Sequence, residues 1–432
     1  MDGSASPTAA ATDSDVIRTN AHPGDYASPA TDGSVSQRSE IDVFSKAYEF
    51  RRADEVRALG LYPYFVPIEA SDATEVTIEG RRLVMVGSNN YLGLNHDPRV
   101  IAAAQEAMEK YGSACTGSRF LNGNTDLHDR LEEELAHLTG KPAALVFPTG
   151  FQTNLGVISA LVGRTDTVFI DKLDHASIVD GCFLSAGDTV RFRHGDLDEL
   201  DAKLARAGSR GKLVAVDGVF SMEGDIVDLP RVVELCGRHG ARLLVDDAHA
   251  VGVLGATGAG TAEHFGLTDR VDLIVGTFSK AFASIGGFVA GDTPVIQYLK
   301  HHARSLIFSA SMPPSACAAV LACIDILRLE PERRLRLWEH GRRMRDELRG
   351  LGFDVGSAEA PIVPVIIGGD LQTFAFWRKL FDEGVFANPV ISPAVPEHSA
   401  RIRTSYIATH TTEQLDFVLE VFSKVGKEMG VI

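Results

Sequence analysis

Two short segments in the middle of the chain carry side chains that chemistry could use. One reads Leu243-Leu244-Val245-Asp246-Asp247-Ala248-His249, and the other Gly276-Thr277-Phe278-Ser279-Lys280. Each joins an apolar, strand-like run to polar groups: a carboxylate and an imidazole in the first, two hydroxyls and a lysine in the second. In an open α/β sheet the carboxyl ends of the strands form the ligand crevice. An acid and a lysine delivered there together suit pyridoxal 5'-phosphate, which needs a lysine for its aldehyde and an acid opposite its pyridine nitrogen.

Each residue also has a plainer reading. Lys280 alone is a solvated point charge. The small, polar residues before it and the Gly286-Gly287 pair after it permit close approach of a ligand. Desolvated near other cationic charge, its amine becomes nucleophilic. Asp246 alone is a helix cap or the acid of a core ion pair. Together with Lys280 it can hold the pyridine nitrogen protonated, which makes the ring an electron sink. Asp247 is the weaker candidate, because alternation along a strand turns it to the other face. His249 could donate to the ring's phenolic oxygen.

Other strand ends add to the set. His175 follows the run Thr167–Asp171 and, if it is not simply structural, could stack on the ring in the same crevice. Thr149-Gly150-Phe151 follows Ala143–Phe147 and opens a helix, where free backbone N–H groups attract a phosphate. Thr277 and Ser279 can add hydroxyl donors. Arg403, within Ile402–Ser405, is either half of a structural ion pair or a planar fork for a substrate carboxylate. The glycines of Gly255–Gly260 are in the wrong order for a dinucleotide loop. No metal centre is expected.

The elements that must position these groups follow from periodicity. Strands are predicted at Ala143–Phe147, Thr167–Asp171, Thr189–Phe192, Leu213–Asp217, Leu243–Asp246, Leu273–Val275 and Gly286–Ala290. Helical stretches such as Asn154–Leu161 and Pro230–His239 separate most of them. Repeated β-α units predict an α/β fold with a mostly parallel, seven-stranded sheet. Residues 96–330 form the large domain in this reading, and 331–432 a smaller α+β domain with strands Val363–Ile367 and Ile402–Ser405. Residues 41–95 hold an amphipathic helix near Val43–Leu59 and a hairpin, Glu75–Val86, turning at Glu79-Gly80. Residues 1–40, rich in Ser, Ala, Thr, Asp, Gly and Pro without hydrophobic periodicity, read as disordered.

Composition narrows the partners. The chain has 432 residues, 45% hydrophobic, with 42 basic against 58 acidic side chains and a net charge of −16. That balance argues against nucleic acid as a partner. The five cysteines include no C-x-x-C pair, which points to a reducing compartment. With no signal-peptide pattern and no apolar run of about 18 residues, a cytoplasmic protein is expected. Peripheral contact with a membrane through an apolar substrate stays open.

The motifs together resemble the α-oxoamine synthases, pyridoxal-phosphate enzymes of fold-type I. The matching segments are Ser88–Leu94, Thr116–Arg119, Leu121–Gly123, Phe220–Asp225, Val245–His249, Gly276–Lys280 and Phe308–Pro314. The wording of Thr277–Lys280, Asp171–His175 and Ala408–His410 is most similar to the bacterial branch that acts on L-serine and a long-chain acyl-CoA. The resemblance implies a decarboxylative Claisen condensation that gives a 2-amino ketone, carbon dioxide and free thiol. It implies that Lys280 holds the aldehyde, His175 stacks, and Asp246 and His249 hold the ring. Ser221 and Ala248 fall in matching motifs beside the cofactor. Asn90 and Arg403 are placed at the substrate, and Ser309 at the phosphate of a partner subunit in a homodimer with shared active sites. Rival readings are another branch, such as one joining alanine to a pimeloyl thioester, a plain aminotransferase, and a non-catalytic subunit. Lys280 counts against the last.

Overall fold

The computed structural model describes residues 42–432. Contacts separate the residues before Arg57 from the unit Arg57–Ile432, which holds everything described below except the segment Val43–Val56 with its first short helix and most of the second. The predicted disordered tail lies outside the described residues.

Seven strands form the large sheet: β1 (Ala143–Phe147), β2 (Asp166–Asp171), β3 (Asp188–Phe192), β4 (Gly211–Asp217), β5 (Arg242–Asp246), β6 (Leu273–Thr277) and β7 (Gly287–Gly291). Their order is β1-β7-β6-β5-β4-β2-β3. β7 runs antiparallel to both β1 and β6, and the other pairs are parallel. The central strands are near-continuous apolar runs because both faces of the sheet are covered. Their alternation is visible in the core. Leu213, Ala215, Leu244, Leu273 and Val275 belong to one hydrophobic cluster, together with Val157 and Ile158 of the helix Gly150–Leu161. Val214, Val216, Leu243, Val245 and Ile274 belong to another on the opposite face.

That parity decides where the strand ends point. Asp217, Asp246 and Thr277 continue the first set and emerge on the side of the helix Gly150–Leu161. Register places Asp217 beside Asp246, and Asp246 beside Val275. Asp171 and Asp247 continue the second set and emerge on the other side.

A second core joins distant parts of the chain. The hairpin Glu75–Ile78/Arg81–Met85 turns at Glu79-Gly80, both residues having positive φ, as a two-residue primed turn requires. Its second strand pairs in parallel with Val385–Phe386. Val76, Leu83 and Val86 pack with Trp377, Phe422 and Ile402. The strand Ala400–Ser405 lies between Ile362–Gly368 and Asn388–Val390 in a three-stranded sheet. The helices Pro314–Leu329 and Glu332–Leu351 connect the two regions, and Thr412–Glu428 closes the chain.

One expected element differs. Instead of a single helix over Val43–Leu59, two short ones form, Ser45–Tyr48 and Arg52–Ala58. The first buries no residue and the second only Val56. A helix this short needs a packed apolar face to persist, and Val43, Phe44, Tyr48 and Phe50 are exposed.

Candidate active site

At the carboxyl ends of β4, β5 and β6 lies a cleft of about 330 Å³. Thr149, Gly150, Phe151, His175, Ser221, Asp246, Ala248, His249, Thr277, Ser279 and Lys280 all line it, as do Asn154, Ser177 and Asp217. Asn90, Arg403 and Ser309 are outside its lining.

Lys280 stands just beyond β6 with its amine facing the cleft. Burial lowers its pKa to about 8, with Arg403 pushing the same way and Asp246 and Asp217 opposing. The neutral amine, which a nucleophile or base requires, is therefore far more populated near physiological pH than in an ordinary lysine.

Asp246 is buried and fixed from two sides. Its Oδ1 accepts the Ala248 N–H at 2.9 Å, and its Oδ2 accepts the Asn154 amide at 2.6 Å. The same amide reaches the Ser177 hydroxyl at 2.9 Å, and that hydroxyl is 2.7 Å from His175 Nδ1. The Ser177 N–H also donates to His175 Nδ1, at 3.2 Å. With Nδ1 accepting from the backbone, the ring proton sits on Nε2. Burial holds the His175 pKa below the usual value, with Asp246 pulling the other way. Phe151 meets the His175 ring edge-on at 6.2 Å.

His249 is held neutral, its pKa well below the usual value because of burial and the nearby Lys280, Arg403 and His175. Its Nδ1 lies 2.7 Å from the Tyr91 hydroxyl. Burial raises the Tyr91 pKa to about 12, against the opposing charge of Arg403. Asp247, buried on the other face of β5, accepts from the Thr261 N–H at 2.9 Å and its hydroxyl at 2.6 Å, away from the cleft.

The opposite wall is built to admit a phosphate. Thr149 caps the helix Gly150–Leu161, its side chain accepting from the Gln152 N–H at 3.1 Å. A side chain on Gly150 would collide with Thr277, since its Cβ would lie 2.8 Å from the Thr277 Oγ1. Glycine therefore leaves the helix start open to the hydroxyls of Thr277 and Ser279, which lie 3.0 Å apart. A helix N-terminus with hydroxyls at one end, a neutralisable lysine in the middle and a fixed carboxylate at the other fit pyridoxal phosphate end to end.

Arg403 stands beside the cleft. Its Nε donates to the Ser221 carbonyl at 2.6 Å and its Nη2 to Asn89 Oδ1 at 2.9 Å. Asn90 donates to Asn95 at 2.7 Å and accepts from the Leu94 N–H at 3.1 Å, so its amide shapes the Ser88–Asn95 turn and does not face the cleft. Ser309 accepts from the Gln152 side chain at 3.0 Å.

Sequence reasoning gave no role to Asn154, Asp217 or Tyr91. Asn154 is the polar residue one helical turn beyond Gly150, the i+4 position on the same face. Asp217 ends a predicted strand just as Asp246 does, and the same rule would have found it. Tyr91 lies in a recognised motif, yet its partner His249 is 158 residues away.

The Aminotransferase class I and II family matches residues 81–422. A serine palmitoyltransferase of Sphingobacterium spiritivorum is 52% identical over 383 residues, covering 88% of this chain and 96% of that protein. An 8-amino-7-oxononanoate synthase of Thermoanaerobacter pseudethanolicus is 43% identical, covering 88% and 97%. Among solved structures, the serine palmitoyltransferase of S. paucimobilis with a bound PLP–myriocin aldimine superposes with a TM-score of 0.89 at 37% identity, covering 91% of this chain and all of that one. The fold, the cleft and these relatives agree: the chain belongs to the aminotransferase class I and II family and, within it, to the α-oxoamine synthases, acyltransferases of fold-type I that work with pyridoxal phosphate.

Proposed function

We propose that the protein condenses L-serine with a long-chain acyl-CoA, releasing carbon dioxide and free coenzyme A and forming the 2-amino ketone 3-ketosphinganine, an entry to sphingolipids. The observation that carries this is the pairing, in one cleft, of a lysine whose pKa is near 8 with an aspartate fixed by Asn154. The 52% identity with a serine palmitoyltransferase supports serine over other amino acids.

Bound pyridoxal phosphate supplies an aldehyde that captures the amino acid and a protonated ring that stores the electron pair left at Cα. Lys280 would hold the aldehyde at rest and, once displaced, would take the Cα proton on Nζ. Asp246, kept in place by Asn154 and the Ala248 N–H, would hold the proton on the pyridine nitrogen. His175, its orientation fixed by Ser177, would stack on the ring. His249, oriented by Tyr91, would donate to the phenolic oxygen. Thr149, Gly150 and Phe151 at the helix start, with Ser221, Ala248, Thr277 and Ser279, would enclose the phosphate and ring edges. Arg403 takes the substrate carboxylate, and Asn90 supports that region through the Tyr91 turn.

The working unit in this reading is a homodimer with shared sites, in which Ser309 reaches the partner's phosphate. Two exposed apolar side chains support it: Phe308, next to Ser309, and Leu121, at 73% and 80% exposure. We also place the protein in the cytoplasm, in keeping with five free cysteines. No helix among the described residues is long and apolar enough to cross a membrane, so contact with lipid, if the acyl substrate brings it, is peripheral.

The test is a panel of amino acids read by cofactor absorbance, followed by acyl thioesters of increasing length. Serine should perturb the spectrum and turn over with long-chain acyl-CoA. A protein that ignores serine, binds alanine and consumes a pimeloyl thioester belongs instead with the 8-amino-7-oxononanoate synthases, the branch of the 43% identical relative. Turnover with an oxo acid and no use of any thioester would indicate an aminotransferase.

A further inference from the structure

His194 touches neither the cleft nor any residue assigned to the cofactor, yet it joins two parts of the site. It lies just past the end of β3, partly buried. Its Nδ1 is 3.1 Å from Asp171 Oδ1, at the end of β2, and its Nε2 is 3.0 Å from Asp225 Oδ2, in the loop after β4. Both carboxylates are shielded from solvent, Asp171 almost completely. Burial disfavours charge on the ring, but the two carboxylates outweigh it and raise its pKa to about 10. The ring therefore donates from both nitrogens. Phe220 packs edge-on against it at 4.5 Å.

The loop it holds is the one that supports Arg403. Residues 218–228 fold back on themselves, with Val219 bridging Ile226 and the Gly224 N–H donating to the Phe220 carbonyl. Between those points, the Ser221 carbonyl accepts Arg403 Nε at 2.6 Å. The Met222 carbonyl and Glu223 carboxylate each accept from Arg401 at 3.1 Å. The loop is thus tied to Ala400–Ser405 on one side, to the N–H groups of Glu359 and Ala360 through the Gly224 carbonyl, and to β2 on the other side. On the β2 side the tie runs through His194. The Asp225 Oδ1 has no hydrogen-bond partner among the described residues, so its carboxylate relies on the imidazolium.

We propose that His194 is a positioning residue for the amino-acid carboxylate site: bridging Asp171 and Asp225, it fixes the loop whose Ser221 carbonyl orients Arg403. The inference rests on the reading that Arg403 receives the substrate carboxylate. Arg403 has a planar fork, so a small rotation about its Nε contact redirects the donors that remain. Losing one arm of the bridge loosens the loop at Ser221 while the hydrogen bonds that hold Asp246, His175 and His249 stay intact.

A double-mutant cycle on the holoenzyme tests this, with the dissociation constant of L-serine read from cofactor absorbance. Glutamine can replace only one of the two ring donors. His194→Gln should raise the dissociation constant roughly tenfold, the size of a coupling between interacting neighbours. In an Arg403→Ala background the same substitution should change it less than about twofold, because its effect passes through Arg403. Equal losses in both backgrounds, or an unchanged constant in His194→Gln, would overturn the proposal. If His194→Gln does not fold, Asp225→Asn cuts the same bridge from the loop side and carries the cycle. An Arg403→Ala variant that binds serine normally overturns the Arg403 reading and this proposal with it. A clear Arg403→Ala loss beside a silent His194→Gln overturns this proposal alone. Should the wild type prefer another amino acid, the cycle runs with that one.

Discussion

The large sheet has a cavity at each end, and they are nearly the same size. The one at the carboxyl ends of the strands is about 330 Å³, and the one at the amino ends about 310 Å³. Both contain a lysine, with two carboxylates at the carboxyl end and three at the amino end. At the amino end, however, the charges answer one another or the backbone. Arg242 pairs with Asp272 at 2.6 Å, Asp272 also accepts the Leu243 N–H, and Lys212 donates to the carbonyls of Gly208 and His239. At the carboxyl end the charges are desolvated and incompletely matched. Lys280 is lowered to about 8, while burial and repulsion from neighbouring carboxylates hold the carboxyl of Asp217, and of Asp174 behind it, well above the usual range. Volume alone does not make a site. The cavity able to do chemistry is the one whose ionisable groups are displaced from their ordinary pKa values by burial and by one another.

The sharpest way to break this contrast is to delete the lysine from each end. Lys280→Ala should abolish turnover, a loss on the order of 10⁴-fold or more, because it removes the proposed cofactor anchor and base together. Lys212→Ala should leave the turnover rate within about twofold. Comparable losses from the two would erase the distinction.

Next come the paired aspartates. Asp246→Asn keeps the shape of the side chain but removes the charge proposed to face the ring nitrogen, so Cα–H exchange should slow by about 10²- to 10³-fold. Asp272→Asn should leave exchange alone and lower the unfolding free energy by about 1 kcal/mol, the worth of a partly exposed hydrogen-bonded clamp. Near-normal exchange in Asp246→Asn would remove it as the ring partner.

A smaller effect should appear with pH. The Lys280 amine must be neutral to capture the cofactor, and its pKa is depressed to about 8. Recombination of apoenzyme with pyridoxal phosphate should therefore be slow at pH 6, rise through pH 8 and level off above it. A rise centred near 10.5, the ordinary lysine value, would mean that the cleft does not desolvate the amine.

Much of this contrast was legible in the chain itself, for a physical reason. Side chains alternate along a strand, so Asp246 and Asp247 had to face opposite ways, and they do: one meets Asn154 and the other Thr261. The hairpin at Glu79-Gly80 was likewise local, set by two residues that tolerate positive φ. What stayed hidden depends on contacts between distant residues. Nothing near Val84 announces its pairing with Val385. Nothing near His194 announces that its two carboxylates come from the end of β2 and the loop after β4. The helix expected over Val43–Leu59 failed for the converse reason, since local periodicity was present but most of the apolar side chains stay exposed.

The central claim is that the cofactor is held by Lys280 in the carboxyl-end cleft. Borohydride reduction of the holoenzyme, followed by peptide mapping, tests it most directly. The account predicts a phosphopyridoxyl label on the peptide containing Gly276–Lys280, at Lys280 itself. A label on Lys212, or on any lysine outside that cleft, would contradict it.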